Sequence, residues 1–358
     1  MTEIRPGPVS AAAKAYAGDG GFLLLDKPEG LSSFQALRPV KRLFPKAKVG
    51  HAGTLDPAAS GLLLAGVGGG TRLLEYLEGQ AKTYAFTAVF GFTSDSYDLE
   101  GAVLPFPASA DATAPDATRI EAALAPFRGR IRQTPPAYSA IKVGGERAYA
   151  LARAGETVVL ESREVEVHSL ELKSFTPAVP GSGTGLEGAA RADFVMTCSK
   201  GTYVRSIVHD LGGALGCGAV TGKIRRLAIG PFRVESATDP AALTPETSLL
   251  PLEAAVAHLR AVTVPPEYLG RFLNGQTIPV AVPTSVPARM AADPDAASSA
   301  TVDSSHMEAR AHDAEGRLLA IASLSADGRL SPRKVLAKAT VAAATAPAQV
   351  TPDERALP

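Results

Sequence analysis

Asp56 lies in Gly50-His51-Ala52-Gly53-Thr54-Leu55-Asp56-Pro57-Ala58-Ala59-Ser60-Gly61, directly ahead of the apolar run Leu62-Leu63-Leu64-Ala65. One carboxylate flanked by proline and framed by three glycines and a histidine reads as a nucleophile or base held by a rigid loop at the mouth of a strand. The same residues suit a plain chain reversal, because Asp before Pro and Gly-rich stretches are frequent turn-formers. Other reactive groupings are sparse. Cys198 and Cys217 are the two cysteines, too few for a structural zinc site or a disulfide framework, and both are expected to be reduced and packed. The six histidines have no metal-binding spacing, and Gly66-Val67-Gly68-Gly69-Gly70 lacks the third glycine and later acid of a dinucleotide site. No metal and no cofactor is expected, so the chemistry must come from organic side chains.

The chain of 358 residues, 46% of them apolar, is long enough for a sizeable core and a smaller appended module. No apolar run is long enough to span a membrane, and residues 1–21 lack a signal-peptide core, which points to the cytoplasm. Thirty-six Lys and Arg balance 36 Asp and Glu, an unusual total for a nucleic-acid binder. The balance conceals segregation. Residues 128–153 carry six cations against Glu146, a net of +5, and residues 200–233 carry six against Asp210, again +5. Acids gather at 293–315, opposed there by Arg310. If the two basic segments meet, they make a phosphate-binding face.

The elements that must position Asp56 follow from pattern. Phe22-Leu23-Leu24-Leu25 reads as a buried strand, followed by a turn and a helix that Ser32 or Ser33 caps, with Pro39 kinking it or delaying its start. Leu62–Val67 fits a central strand, and Thr71 is placed to cap a helix carrying Leu73, Leu74 and Leu77. Lys82–Phe90 reads as a strand with Tyr84, Phe86, Ala88 and Phe90 on one face. Thr118 and Glu121 form a capping box for a further helix. Strands and helices interleave without a repeating βαβ unit, which favours an α+β domain built on a mixed sheet. Two acid-Gly turns near Gly316 and Gly328 suggest a small C-terminal β-barrel.

The stretch GHAGTLDPAASGLL resembles the signature loop of the TruB family of bacterial tRNA pseudouridine synthases, and four other segments resemble that family in the same order: Asp26-Lys27-Pro28, the strand with Tyr84, Gln133–Lys142, and Tyr203–Leu227. The resemblance implies a mixed, mainly antiparallel catalytic sheet followed by a PUA-like β-barrel. It implies that Asp56 is the nucleophile, that Arg205 in Ser199-Lys200-Gly201-Thr202-Tyr203-Val204-Arg205-Ser206 pairs with it, and that Tyr84 stacks on the target base and helps move a proton. His51, Tyr203, Ile224 and Lys27 complete the implied substrate contacts, with Ile224 standing where the family often has Leu. Val204, Ile207, Val208 and Leu211 favour a helix, whereas Tyr203 and Arg205 reach one face together only if the chain is extended between them. Ser94-Asp95-Ser96-Tyr97-Asp98 matches a family element and reads as structural.

The implied activity is isomerisation of uridine 55 in the T loop of tRNA, through base flipping and an aspartate-dependent break and re-formation of the glycosidic bond. The implied partner is the T arm of tRNA, with no guide RNA, no obligatory protein partner, no membrane, and a monomeric state. The domain limits read as a tail 1–20, a catalytic domain 21–262 with inserts 104–117 and 176–190, a PUA-like module 263–337 with insert 281–304, and a tail 338–358. An RNA-folding protein with secondary or lost synthase activity is the alternative. A glycosidase needs a second placed carboxylate, and the matched loops offer none.

Overall fold

The structure is a computed structural model, and it describes residues 20–107, 115–179, 185–281 and 306–337. The tails, the centres of the inserts read at 104–117 and 176–190, and the insert read at 281–304 beyond its first residue lie outside the described residues. The chain divides into two compact units, one running to Val256 and one starting at Ala257.

In the first unit, Gly20–Lys27 (β1) and Ala59–Gly68 (β3) pair antiparallel and are buried along nearly their whole length. Continuous apolar runs are what strands covered on both faces require. Between them come Ser33–Ala36 (α1), Arg38–Leu43 (α2) and Val49–Ala52 (β2), the last pairing with β3. Ser32 caps α1 in a reciprocal box with Gln35. Pro39 falls in the first turn of α2, where its missing N–H costs nothing, so the proline divides the helical stretch in two. Leu74–Glu78 (α3) follows, but Thr71 does not cap it. The threonine sits inside a 3₁₀ turn, and its hydroxyl donates back to Gly68 O at 2.8 Å.

Lys82–Phe90 (β4) occupies the residues its alternation predicts. Phe92–Ser94 (β5) and Val103–Pro105 (β6) form a hairpin that takes up the first residues of the tract read as an insert. Ala117–Ala123 (α4) is capped by Asp116, whose carboxylate accepts from Arg119 N at 2.8 Å, not by Thr118. Aspartate is at least as good a cap, and the helix starts where it stands. Gly129–Gln133 (β7), the hairpin Lys142–Val143 (β8) and Glu146–Arg147 (β9), and Ala148–Arg153 (α5) lead to Arg163–Thr176 (β10). Arg191–Cys198 (β11), Val204–Ala214 (α6), Ala219–Ile229 (β12) and Phe232–Arg233 (β13) complete the main elements.

The main sheet runs β1-β3-β12-β4-β11-β10-β7, with β2 on β3 and β13 on β12. Its joints are antiparallel except β3–β12, so the α+β reading holds. One core layer packs Phe86, Ala88, Phe90 and Phe194 against Val204, Ile207, Val208 and Leu211 of α6, with Phe86 and Phe194 stacked at 5.3 Å. A second packs Leu23, Leu25, Leu63 and Val67 against Ala36, Leu37 and Val40. Each of the larger side chains, Val, Leu, Ile and Phe, contributes about 1.5–3 kcal/mol on burial. Cys198 and Cys217 are buried in the first layer as free thiols.

The second unit contains Arg260–Thr263 (β14), Leu269–Leu273 (α7), Ile278–Pro279 (β15), His306–His312 (β16), Leu318–Ser325 (β17) and Arg329–Val335 (β18). Its sheet order is β14-β16-β17-β18-β15, a curved PUA-like arrangement whose two hairpins turn at Gly316 and Gly328, both at positive φ.

Candidate active site

The Asp56 loop joins β2 to β3 at a fork. β2 pairs with β3 only over Val49–Ala52 against Ala65–Val67 and Leu64, and the same edge of β3 is taken over at Ala59–Gly61 by Ile224–Arg226 of β12. The loop therefore emerges where one neighbour leaves and the other arrives. Three side chains pin it. Ser33 Oγ accepts from Leu55 N at 2.8 Å and donates to Leu55 O at 3.1 Å. Lys27 Nζ donates to Pro57 O at 3.3 Å, as well as to Pro28 O and Leu31 O. The buried Arg226 donates to Gly53 O at 2.9 Å and to Leu62 O at 2.7 Å, tying both ends of the loop to β12. Gly61 is required at this joint: its φ is +102°, and a Cβ would fall 2.3 Å from Arg226 O.

Asp56 faces an open pocket of about 620 Å³, and its side chain is 42% exposed. Arg205 meets it at 2.7 Å, so the pairing implied by the resemblance is present. The route differs from the extended chain inferred for that segment. Tyr203 is the extended cap of α6 and Arg205 is already in its first turn; a helical arginine reaches the pocket through its length. Its guanidinium is held at four points: Asp56, Asp98 at 3.4 Å, Ser96 O at 3.0 Å and Tyr138 O at 2.9 Å. The Ser94–Asp98 stretch thus fixes the charge partner of Asp56.

Tyr84 and Ile224 line the same pocket, with Tyr84 opposite Arg226 and Ile224 opposite both Phe86 and Ala59 in the sheet. Burial pushes the Tyr84 hydroxyl above its ordinary pKa, while a hydrogen bond from Arg226 opposes that shift. The phenol stays protonated at neutral pH and can pass a proton on. Tyr203 forms another wall. The buried Gln133 accepts from Tyr203 N at 2.7 Å and donates to Tyr203 O at 3.0 Å, and the Arg163 guanidinium lies 5.0 Å from its ring.

His51 and Lys27 are not among the pocket-lining residues. His51 sits on β2, its Nδ1 buried with no hydrogen-bond partner, and burial, reinforced by Arg226, lowers its pKa so that it is neutral at pH 7. Lys27 is fully buried and spends its ammonium on loop carbonyls, which leaves it no surface for RNA and gives it the supporting role alone. Gln133, Arg163, Lys82, Asp98 and Arg226 carried no individual assignment from sequence. The two basic segments do meet: Thr134 O accepts from Ser206 Oγ at 2.8 Å beside the Gln133 and Tyr138 contacts. Among the described residues, no group of three or more His, Cys, Asp or Glu side chains could hold a metal ion.

The profile of the TruB family pseudouridylate synthase N-terminal domain matches residues 41–204. A tRNA pseudouridine synthase B of Xanthomonas campestris is 38% identical over 90% of this chain and 96% of its own length. The chain belongs to the TruB family. Another family relative, the tRNA pseudouridine synthase B of Burkholderia mallei, is 39% identical over 94% of this chain and 99% of its own. The TruB-family fold is also seen in a chain of an archaeal box H/ACA Nop10–Cbf5 complex, with a TM-score of 0.61 at 19% identity over 94% of this chain and 89% of that one. A chain of an H/ACA ribonucleoprotein bound to a substrate RNA gives 0.60 at 18%, over 89% and 86%. No helix among the described residues is long and apolar enough to cross a membrane.

Proposed function

We propose that this chain converts uridine 55 in the T loop of tRNA to pseudouridine. The observation that carries the reading is Asp56 at the pocket mouth, held at 2.7 Å by a buried, four-point Arg205, with Tyr84 on the adjoining wall. A uridine inside folded RNA must be extruded to reach such a pocket. Tyr84, Tyr203 and Ile224 then supply apolar surface for the flipped base.

In the isomerisation the bond from C1′ of the sugar to N1 of the base breaks, the base turns, and C1′ bonds to C5. The proton on C5 leaves and N1 gains one, so atoms and electrons balance without oxidant or energy source. Asp56 serves by attacking the sugar, attacking the base, or removing a sugar proton. Arg205 orients the carboxylate, and Tyr84 helps move the C5 proton, taking it up as its own hydroxyl proton passes on. His51, directly ahead of the loop, contacts RNA beside the extruded nucleotide. We further read the unit running to Val256 as the catalytic domain and the unit from Ala257, which takes in β14 and so starts ahead of residue 263, as an RNA-binding module, in a cytoplasmic monomer that needs no guide RNA.

The test is tritium release from tRNA carrying C5-labelled uridine, with wild type compared to Asp56→Asn and the product position mapped. Release by wild type alone, with pseudouridine at position 55, is the expected result. No release by folded wild type refutes the synthase reading and leaves the RNA-folding alternative.

A further inference from the structure

The short helices ahead of the Asp56 loop carry a feature that the chemistry does not use. Phe34 on α1 is 60% exposed, and Lys41 on α2 places Nζ 4.0 Å from its ring centroid. Phe34 is therefore an exposed ring with a cation over one face. It also heads a run of one sign: residues 34–48 contain Arg38, Lys41, Arg42, Lys46 and Lys48 and no Asp or Glu. Arg38, Arg42, Lys46 and Lys48 are exposed.

This element is fixed to the catalytic loop. Ser33, the neighbour of Phe34, holds both backbone groups of Leu55, the neighbour of Asp56. Gly30 N donates to Pro57 O at 2.8 Å, tying the turn ahead of α1 to the same loop. With consecutive Cα atoms about 3.8 Å apart, Phe34 stands within roughly 15 Å of Asp56. Ser33 points inward to the loop and Phe34 outward.

We propose that Phe34 and Lys41 form a second nucleotide-binding point outside the catalytic pocket, where an unpaired base of the same RNA stacks on the Phe34 ring and Lys41 contacts the adjoining phosphate. The inference rests on the RNA-modifying reading of the Asp56 pocket. Single-stranded RNA is gripped in this way, by aromatic stacking beside a basic track. The occupant is RNA, because five cations in a stretch without acids complement phosphates and a base supplies the flat partner that an exposed phenyl ring can stack on. A surface ring used instead for a protein contact leaves RNA affinity untouched, and that is an outcome of the test.

The experiment measures tRNA dissociation constants for Phe34→Ala, Phe34→Tyr and Lys41→Gln, each made in the full-length Asp56→Asn protein, with single-turnover rates at saturating enzyme in the Asp56 background. Phe34→Ala is expected to weaken binding about 5- to 150-fold, the span for loss of one base stack, with the saturated rate unchanged. Phe34→Tyr restores affinity, since the ring is what matters. Lys41→Gln lowers the slope of log K against log salt by about 0.7, as for one single-strand phosphate contact, whereas Phe34→Ala leaves the slope alone. Affinity of Phe34→Ala within about twofold of its parent, measured with a protein whose wild type does isomerise tRNA, overturns this inference without touching the catalytic reading. Absence of wild-type turnover overturns the catalytic reading instead.

Discussion

Replacing Arg205 with lysine keeps the positive charge and discards the planar fork. The fork reaches Ser96 O at 3.0 Å through Nη1, and Tyr138 O at 2.9 Å and Asp56 at 2.7 Å through Nη2. A single ammonium on a shorter stem serves the carboxylates or the two carbonyls, not both sets. Two charge-assisted bonds to backbone are lost, each worth about 1.5–3 kcal/mol. The lower end applies to both, because water entering beside the part-exposed Asp56 replaces some of the contact, so the loss is about 3 kcal/mol. At about 2–4 °C per kcal/mol for a unit of this size, the melting midpoint falls by about 6–12 °C. Misplacement of the carboxylate costs about 100-fold in the single-turnover rate at saturating tRNA. Asp56→Asn is the control: the side chain is 42% exposed, so its removal costs less than about 1 kcal/mol while turnover is abolished. Thermal denaturation and single-turnover tritium release read the two effects separately. An Arg205→Lys protein melting within about 2 °C of wild type and turning over within about threefold of it refutes the four-point account.

Gly61→Ala places a methyl 2.3 Å from Arg226 O at a φ of +102°, and should cost at least about 2 kcal/mol in urea denaturation; an unchanged midpoint contradicts the close β3–β12 joint. Burial holds the Lys27 and Lys82 ammonium groups at about 8, below their ordinary 10.5. The unfolded chain then binds more protons between pH 8 and 10.5, so these lysines make stability rise with pH across that window. Lys27→Met should reduce the rise in urea midpoint, and adding Lys82→Met should remove it. tRNA affinity should fall steeply between about 50 and 200 mM salt, and Lys200→Gln should flatten the log-log slope by about 0.7–0.9; an affinity indifferent to salt contradicts the reading of the two contacting basic segments as a phosphate-binding face.

What the sequence made legible was local. The alternation of Lys82–Phe90, the apolar spacing of α6 and the order of residues around Asp56 each depend on neighbours in the chain, and each element lies where its pattern places it. The misread details are those where two local signals compete. Asp116 and Thr118 are both good caps two positions apart, and only packing selects between them. Tyr203 and Arg205 share an alternation that suits a strand, yet the helix signal from Val204 onward reaches back as far as Val204 itself. Gln133 was illegible as a clamp on Tyr203 because its function is a pair of hydrogen bonds spanning 70 positions. Asp98 looked structural for a similar reason, since the group it faces lies across the sheet on α6. Sequence exposes residue types, whereas the assignment of a clamp needs the partner.

Arg205 and its carbonyl anchors at Ser96 and Tyr138 are supplied by segments far apart in the chain, at separations of 109 and 67 positions. During synthesis the Asp56 loop leaves the ribosome roughly 150 residues before the arginine that completes it. At about 5–20 residues per second that interval is about 7–30 s. β12, which carries the Arg226 clamp and the parallel joint to β3, arrives later still. A nascent or truncated chain therefore displays the Asp56 carboxylate with neither its counter-charge nor its frame, and isomerase activity switches on only when the central strand is threaded home.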